Sequence, residues 1–249
     1  MKKSRDIYER KGVYGDIEKF NSSYNRLDKM LHLVDSLPFE PKTILDIGCG
    51  TGTFAYLMKK RFPKAVVIGA DISTTALSIG RKNYKSIQLV LANAEKKLPF
   101  RPNYFDLVVS GEHIEHLVDV DTYLEELNRV LKKDGYLLLT TPNLASWINR
   151  LLLLFGFQPW YLEASYRKNL PIFSIGTFRF PINSETPAVG HLRLFTLNIL
   201  KKLLHLYGFD TEAVLGTKIM MKPAFKQLDL FFSYIPSLAF GLIILAKKI

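Results

Sequence analysis

Two short stretches of this chain hold residue types at spacings that can do chemistry. The first runs from Gly111 to Leu117, GEHIEHL. If a helical turn starts here, Glu112, Glu115 and His116 stand at i, i+3 and i+4 and share one face, with His113 pointing elsewhere. Three chemistries are open. The cluster can begin a helix and help close a pocket. A histidine, His113 or His116, can act as a general base, because an imidazole titrates near neutrality. Or Glu112, Glu115 and His116 can hold a divalent metal ion, magnesium or zinc, that lowers the pKa of bound hydroxyls. The second stretch is Thr43 to Phe54, TILDIGCGTGTF. A β-capable run ends in Asp46, and Gly48, Gly50 and Gly52 follow at alternate positions before a helical pattern. Glycine there lets the backbone approach a ligand closely, and the next helix offers free N–H groups to a phosphate or a carboxylate.

These stretches need elements to position them. TILDI, AVVIGAD, SIQLVLAN, FDLVVS and YLLLTTPN read as strands. Between them lie helical patterns, among them GTFAYLMKKRF and STTALSIGRKNY, the latter with Ser73 as its cap. DVDTYLEELNRVLKKDG is amphipathic, with Tyr123, Leu124, Leu127, Val130 and Leu131 on one face and Gly135 as its end. This alternation predicts a mostly parallel sheet covered on both faces. The rhythm breaks over 144–190, which is rich in aromatics and proline. It resumes with a helix capped by Thr196, a strand DTEAVLGT, a helix around PAFKQLDLFFSY and a last strand FGLIILAKK. A helical segment, DIEKFNSSYNRLDKMLHLVDSL, precedes the first strand.

Composition sets limits on partners and compartment. The chain has 249 residues, 48% of them hydrophobic, enough for a sizeable core in one domain with an insertion. One cysteine, Cys49, excludes an intrachain disulfide and fits a reducing compartment. The N-terminus lacks the apolar core of a signal peptide. A net charge of +11 favours anionic partners: nucleic acid, an acidic membrane face or phosphorylated substrates. The apolar stretch Leu230–Ala246 is broken by Ser233, Pro236, Ser237 and Gly241. It reads as a helix end, a turn and a strand, with a tail anchor as the alternative.

The glycine spacing is not that of a dinucleotide fold, and no Lys-Ser/Thr follows as in a P-loop. Asp46-Ile-Gly48-Cys-Gly50-Thr-Gly52 instead resembles the first motif of class I S-adenosylmethionine-dependent methyltransferases. The later motifs ADIS, LANAEKKLPF, FDLVVSGEHIEHL and LNRVLKKDGYLLLTTPN resemble that family in order, densely over about 43–142. The resemblance implies a Rossmann-like α/β fold: a seven-stranded, mainly parallel sheet with an antiparallel last strand and a lid-like insertion after strand five. It implies one domain over 1–249, with an N-terminal helical segment at 1–42 and a substrate insertion at 144–190. For S-adenosylmethionine it implies contacts from Arg26, Asp46, Gly48, Cys49, Gly50, Gly52, Asp71, Ile72, Asn93, Ala94, Ser110 and Gly111. Asp71 would take the ribose hydroxyls and Arg26 the cofactor carboxylate. Many relatives carry Asp where this chain has Asn93; an amide oxygen can still accept from the adenine amine.

The E-x-x-E-H run is similar to the ubiquinone-pathway O-methyltransferases and to small-RNA 2′-O-methyltransferases. The latter imply His191 as a further ligand. On this resemblance Glu112, His113, His116 and His191 are the catalytic candidates, and Glu112, Glu115 and His116 the metal candidates. The insertion holds Trp147 and Trp160 with many Phe and Tyr, and Arg150, Arg167, Lys168 and Arg179 add charge. An amphiphilic acceptor fits: a prenylated phenol, or a glycan on a lipid phosphate. The expected reaction is methyl transfer to oxygen, with RNA ribose methylation or non-catalytic cofactor binding as the alternatives. The expected place is the cytoplasm, with peripheral contact at an anionic inner membrane face left open.

Overall fold

The computed structural model describes residues 24–165, 173–175, 178–180, 190–218 and 223–249. In chain order these form α1 (Tyr24–Asp35), β1 (Thr43–Ile47), α2 (Thr53–Arg61), β2 (Val66–Asp71), α3 (Thr74–Asn83), β3 (Gln88–Leu91) and β4 (Phe105–Gly111). A 3₁₀ turn (Ile114–His116), α4 (Val120–Val130), β5 (Leu131–Pro142) and α5 (Trp147–Leu154) follow. Then come β6 (Phe173–Ile175), β7 (Phe178–Phe180), α6 (Leu197–Leu206), β8 (Phe209–Thr217), α7 (Pro223–Ser233) and β9 (Gly241–Lys248).

The apolar runs become strands because both faces find cover. β1 sends Ile44 to one core and Leu45 and Ile47 to the other. β4 does the same with Leu107 and Val109 against Phe105 and Val108. Strands buried on both sides carry continuous apolar sequence and suit a parallel sheet between helix layers. Seven strands pair in the order β3-β2-β1-β4-β5-β9-β8. β1, β2, β3, β4 and β5 run parallel, and β9 is antiparallel to both neighbours. The expected sheet with its reversed last strand is therefore present. Helices start where the sequence places caps: Ser73 accepts from the Ala76 N–H and Thr196 from the Ile199 N–H.

This strand order fixes where a ligand can sit. The chain steps outward from β1 to β3, then returns with β4 to the other side of β1. The loops after β1 and β4 consequently diverge, and a crevice opens above the carboxyl ends of those two strands. At the opposite end of the sheet, Asp106 holds the same strands together. Its Oδ2 accepts from the N–H groups of Lys42 and Thr43 and from the Thr43 hydroxyl, and its Oδ1 from Lys132.

Two expectations about boundaries change. The helix expected to run to Gly135 stops at Val130, and Leu131 opens β5 opposite Phe105. Sheet pairing captures Leu131, and Asp134 turns the chain at φ 61°. The N-terminal helix is seen from Tyr24, and residues 16–23 lie outside those described. So does much of the 144–190 stretch, including Arg167 and Lys168.

Two tests follow from this packing. Gly80→Ala sets two effects against each other. Alanine is the better helix former by about 1 kcal/mol. A Cβ at Gly80 would lie 2.3 Å from the Thr51 carbonyl oxygen, backbone of the glycine turn. Overpacking costs about 1–3 kcal/mol, so the variant should melt lower than wild type; a raised midpoint would contradict the packing. Asp106→Asn tests the clamp. Burial pulls the Asp106 pKa up, but hydrogen bonds from Lys132, Thr43 and the Lys42 N–H together set it below its ordinary value. A lowered folded pKa stabilises above the unfolded pKa, and that contribution is lost as pH falls through the folded one. The variant should be less stable by about 1 kcal/mol at neutral pH. In denaturant melts the gap should close below the ordinary carboxylate value of about 4.

Candidate active site

The glycine turn sits at the mouth of the crevice. Gly48, Gly50 and Gly52 take φ of 72°, 54° and 81°, which L side chains rarely adopt. Gly48 also lacks room for a side chain, since a Cβ there would lie 2.5 Å from the His113 ring. Two carboxylates brace the turn. Asp46 accepts from the Ala55 N–H at 3.1 Å, tying the end of β1 to α2. Asp71 accepts from the Gly50 N–H at 2.8 Å and from the Ser73 N–H at 2.8 Å. Burial raises the Asp46 pKa to about 7, partly opposed by the Ala55 N–H and reinforced by the charge of Asp71. The Cys49 thiol is pushed up by burial and by the two carboxylates.

A cavity opens against this turn, with Arg26, Met30, Asp46, Gly48, Cys49 and Gly111 in its lining. Gly50, Gly52 and Asp71 are not part of its lining. Ile72 follows β2 directly, and Asn93 and the buried Ala94 follow β3. The Asn93 side-chain oxygen accepts from the Glu95 N–H at 2.9 Å and so turns its own loop. Ser110 faces inward, accepting from the Tyr123 hydroxyl at 2.5 Å. Arg26 reaches Glu112 at 3.2 Å across the crevice.

The acidic–histidine cluster is arranged differently from a single helical face. Glu112 sits at φ 49°, and its N–H bonds to the Thr140 carbonyl and hydroxyl. That continues the β4–β5 pairing, so helical geometry begins only at Ile114 and Glu112 faces Arg26 and Thr140 instead. His113 lies beneath Gly48 and meets Tyr123 edge-on at 5.5 Å. Burial, then the neighbouring His116, lower its pKa to about 3. Among the described residues, the ligand-type atoms that come within 4.8 Å of one another belong to Glu115, His116 and His191. Glu112 is outside this group and His191 is inside it.

Two of these side chains hold orphaned polar atoms. Glu115 is fully buried; its Oε2 accepts from the Thr141 hydroxyl, while Oε1 has no hydrogen-bond partner. His191 is also buried, with Nδ1 unpartnered and 4.0 Å from Glu163 Oε1. The His116 and His191 rings stack at 4.7 Å, and Tyr161 packs on His191 at 5.0 Å. Burial raises the Glu115 pKa well above its ordinary value, and the charge of Glu112 adds to this. Burial lowers His116, and burial followed by His116 lowers His191 to about 3. Both imidazoles are thus neutral, with lone pairs available to a cation. An unpartnered carboxylate oxygen facing neutral imidazoles fits a divalent ion.

Sequence reasoning missed the supports of this cluster. Thr140 and Thr141 hold Glu112 and Glu115, and both are fully buried. Their signal was a polar pair closing an otherwise apolar strand. Glu163 accepts from the Gly190 and His191 N–H groups, which sets the His191 backbone. Nothing in its surroundings marks it in the sequence.

Comparison with known proteins bears on this geometry. Residues 45–139 match the family model of the methyltransferase domain. Over 134 residues the chain is 34% identical to the malonyl-[acyl-carrier protein] O-methyltransferase of Legionella pneumophila, a match covering 49% of this chain and 47% of that protein. The chain thus spans about half the length of that relative. It is 28% identical over 250 residues to an uncharacterized protein of Methanocaldococcus jannaschii, covering 97% of this chain and 92% of the other. Among solved structures, an S-adenosylmethionine-dependent methyltransferase of Thermotoga maritima, titled a possible histamine N-methyltransferase, superposes with a TM-score of 0.63. At 21% identity it covers 99% of this chain and 100% of its own, which establishes a shared Rossmann-like fold. Residues 45–139 are thus similar in sequence to the methyltransferase domain, and the chain around them has the fold of solved S-adenosylmethionine-dependent methyltransferases.

Proposed function

We propose that the protein transfers a methyl group from S-adenosylmethionine to an oxygen of an amphiphilic acceptor, a prenylated phenol or a lipid-linked glycan. The observation that carries the choice of oxygen is the pair of orphaned atoms, Glu115 Oε1 and His191 Nδ1, in a cluster adjoining the crevice. A hydroxyl must lose its proton to accept a methyl group, so an oxygen acceptor needs a group that favours the alkoxide or phenolate. The malonyl relative's name, an O-methyltransferase, agrees with this acceptor atom.

The roles divide by environment. S-adenosylmethionine supplies an electrophilic methyl on a sulfonium sulfur. The bare backbone at Gly48 would admit it closely, and Arg26, which lines the cavity, would meet its carboxylate in exchange for Glu112. A divalent ion held by Glu115, His116 and His191 would lower the pKa of a bound acceptor hydroxyl. Two imidazoles with one carboxylate suit zinc or another first-row ion better than magnesium, which prefers oxygen ligands. His191, with its pKa near 3, is a poor base but a ready ligand. Burial holds the Glu115 pKa well above its ordinary value, and a cation bound there would displace to solvent any proton the carboxyl carries. Rate comes mainly from holding the acceptor oxygen in line with the methyl in a site closed to water.

Calorimetric titration tests this. S-adenosylhomocysteine should bind with EDTA present and with zinc, manganese or magnesium added. Zinc alone should bind, and Glu115→Ala or His191→Ala should remove that binding while leaving the nucleoside bound. Turnover in those variants should fall by at least about 100-fold. A folded protein that binds no nucleoside would overturn the assignment; nucleoside binding without a metal site would overturn the role of the cluster. Gly48→Ala separates the two halves of the site. Its positive φ alone costs about 1–2 kcal/mol and the new Cβ meets His113, so nucleoside affinity should drop while zinc binding persists.

A further inference from the structure

Two helices of this protein are built inside out. α7 buries Asp229 and Ser233, yet exposes Phe225, Leu228 and Phe231. Phe231 is 60% exposed, and Tyr234, just past the helix end, is 75% exposed. α5 buries Asn149 beside Trp147 and Leu152, yet exposes Leu151, Leu153 and Leu154, the last at 75%, followed by Phe155 at 70%. The two helices are fastened together. The Trp147 indole stacks on Phe232 at 5.5 Å and donates to Asp229 at 3.0 Å. The apolar side chains therefore belong to one adjoining surface, far larger than scattered exposed residues require.

Charge says what covers it. From Ala145 to Leu162 and from Lys218 to Ile249 the sequence holds one acid, Asp229, and it is buried. The charges that flank the apolar face are cationic: exposed Arg150 on α5, exposed Lys226 on α7, and Lys29 over the Tyr234 ring at 5.9 Å. A second copy docked about a two-fold axis would set these cations against themselves. An anionic bilayer surface offers both what the aromatics and leucines need and what the cations need. Among the described residues no helix is long and apolar enough to cross a membrane, so the contact is interfacial.

We propose that α5, the segment after it and α7 form a docking surface for anionic phospholipid bilayers. The surface leads to the site. The Trp160 N–H bonds to Asn149 on α5, and Tyr161 packs against His191. A lipid-borne acceptor held in the bilayer is thereby delivered beside the cluster, and this last step rests on the acceptor class proposed above.

The test is co-sedimentation with vesicles of phosphatidylglycerol and phosphatidylcholine in equal parts, against phosphatidylcholine alone. Wild type should bind the anionic vesicles, with weaker binding as salt is raised. Leu154→Ser, Phe155→Ser, Phe231→Ser and Tyr234→Ser combined should weaken binding at least about tenfold. These residues are exposed, so the melting midpoint and S-adenosylhomocysteine binding should hold. Arg150→Glu with Lys226→Glu, which leaves the apolar face intact, should weaken it as well. Vesicle binding that ignores both variants, or no vesicle binding, would overturn the proposal. So would a wild-type dimer, without vesicle binding, that the serine variant dissolves. The readout needs neither cofactor nor turnover, so its failure leaves methyl transfer standing, and a failed methyl transfer leaves it interpretable.

Discussion

The site depends on the buried carboxylate of Asp71. Its two oxygens hold the N–H groups of Gly50 and Ser73, so one side chain joins the loop after β1 to the start of α3. Asp46 does the matching work one strand over, through the Ala55 N–H. Burial, with the charge of Asp71 adding to it, holds Asp46 at a pKa near 7. The turn tolerates the cost because both carboxylates are satisfied by backbone donors that would otherwise be orphaned at helix starts. Gly80 and Gly48 complete the arrangement by letting α3 and His113 come close enough to set the turn's shape.

The acidic–histidine cluster follows a different logic. Its supports, Thr140, Thr141 and Glu163, fix geometry, while Glu115 Oε1 and His191 Nδ1 are left without hydrogen-bond partners, lying 3.9 Å from His116 and 4.0 Å from Glu163 respectively. A protein leaves buried polar atoms unpaired seldom, because each costs about 1–3 kcal/mol. Two of them sit on side chains that meet in one cluster, where the proposed metal ion would bind. Neutral imidazoles and a protonated carboxyl are the states burial favours alone, and a cation would reverse that balance.

The surface near this cluster departs from the usual arrangement in the opposite way. Asn149, Asp229 and Ser233 are inside, where Trp147 and backbone groups receive them, and leucine and phenylalanine are outside. Asn149 ties α5 to the end of β5 through the Asn143 carbonyl, and Asp229 ties α7 to α5 through the Trp147 indole, while the leucines and phenylalanines of their exposed faces take no part in these bonds. Those faces are then free for another phase.

Much of the fold was legible because strands buried on both faces must be written as continuous apolar runs, and glycine must stand where φ is positive. Five parallel strands, their helices and the caps at Ser73 and Thr196 follow from local pattern, whereas the reversed last strand was implied only by the family resemblance. The helix boundary at Val130 did not, because pairing of Leu131 with Phe105 overrode an amphipathic period that continued past it. In the candidate site, sequence determined the glycine turn and the residue types of the E-x-x-E-H run. Tertiary structure decided which of them meet. Glu112 left the cluster because β4 continues through its backbone to Thr140, and His191 entered it because Glu163 fastens the returning chain. Spacing along a chain predicts neighbours only while one helix or strand persists, and the partners of Glu115 arrive from elements that no local period connects.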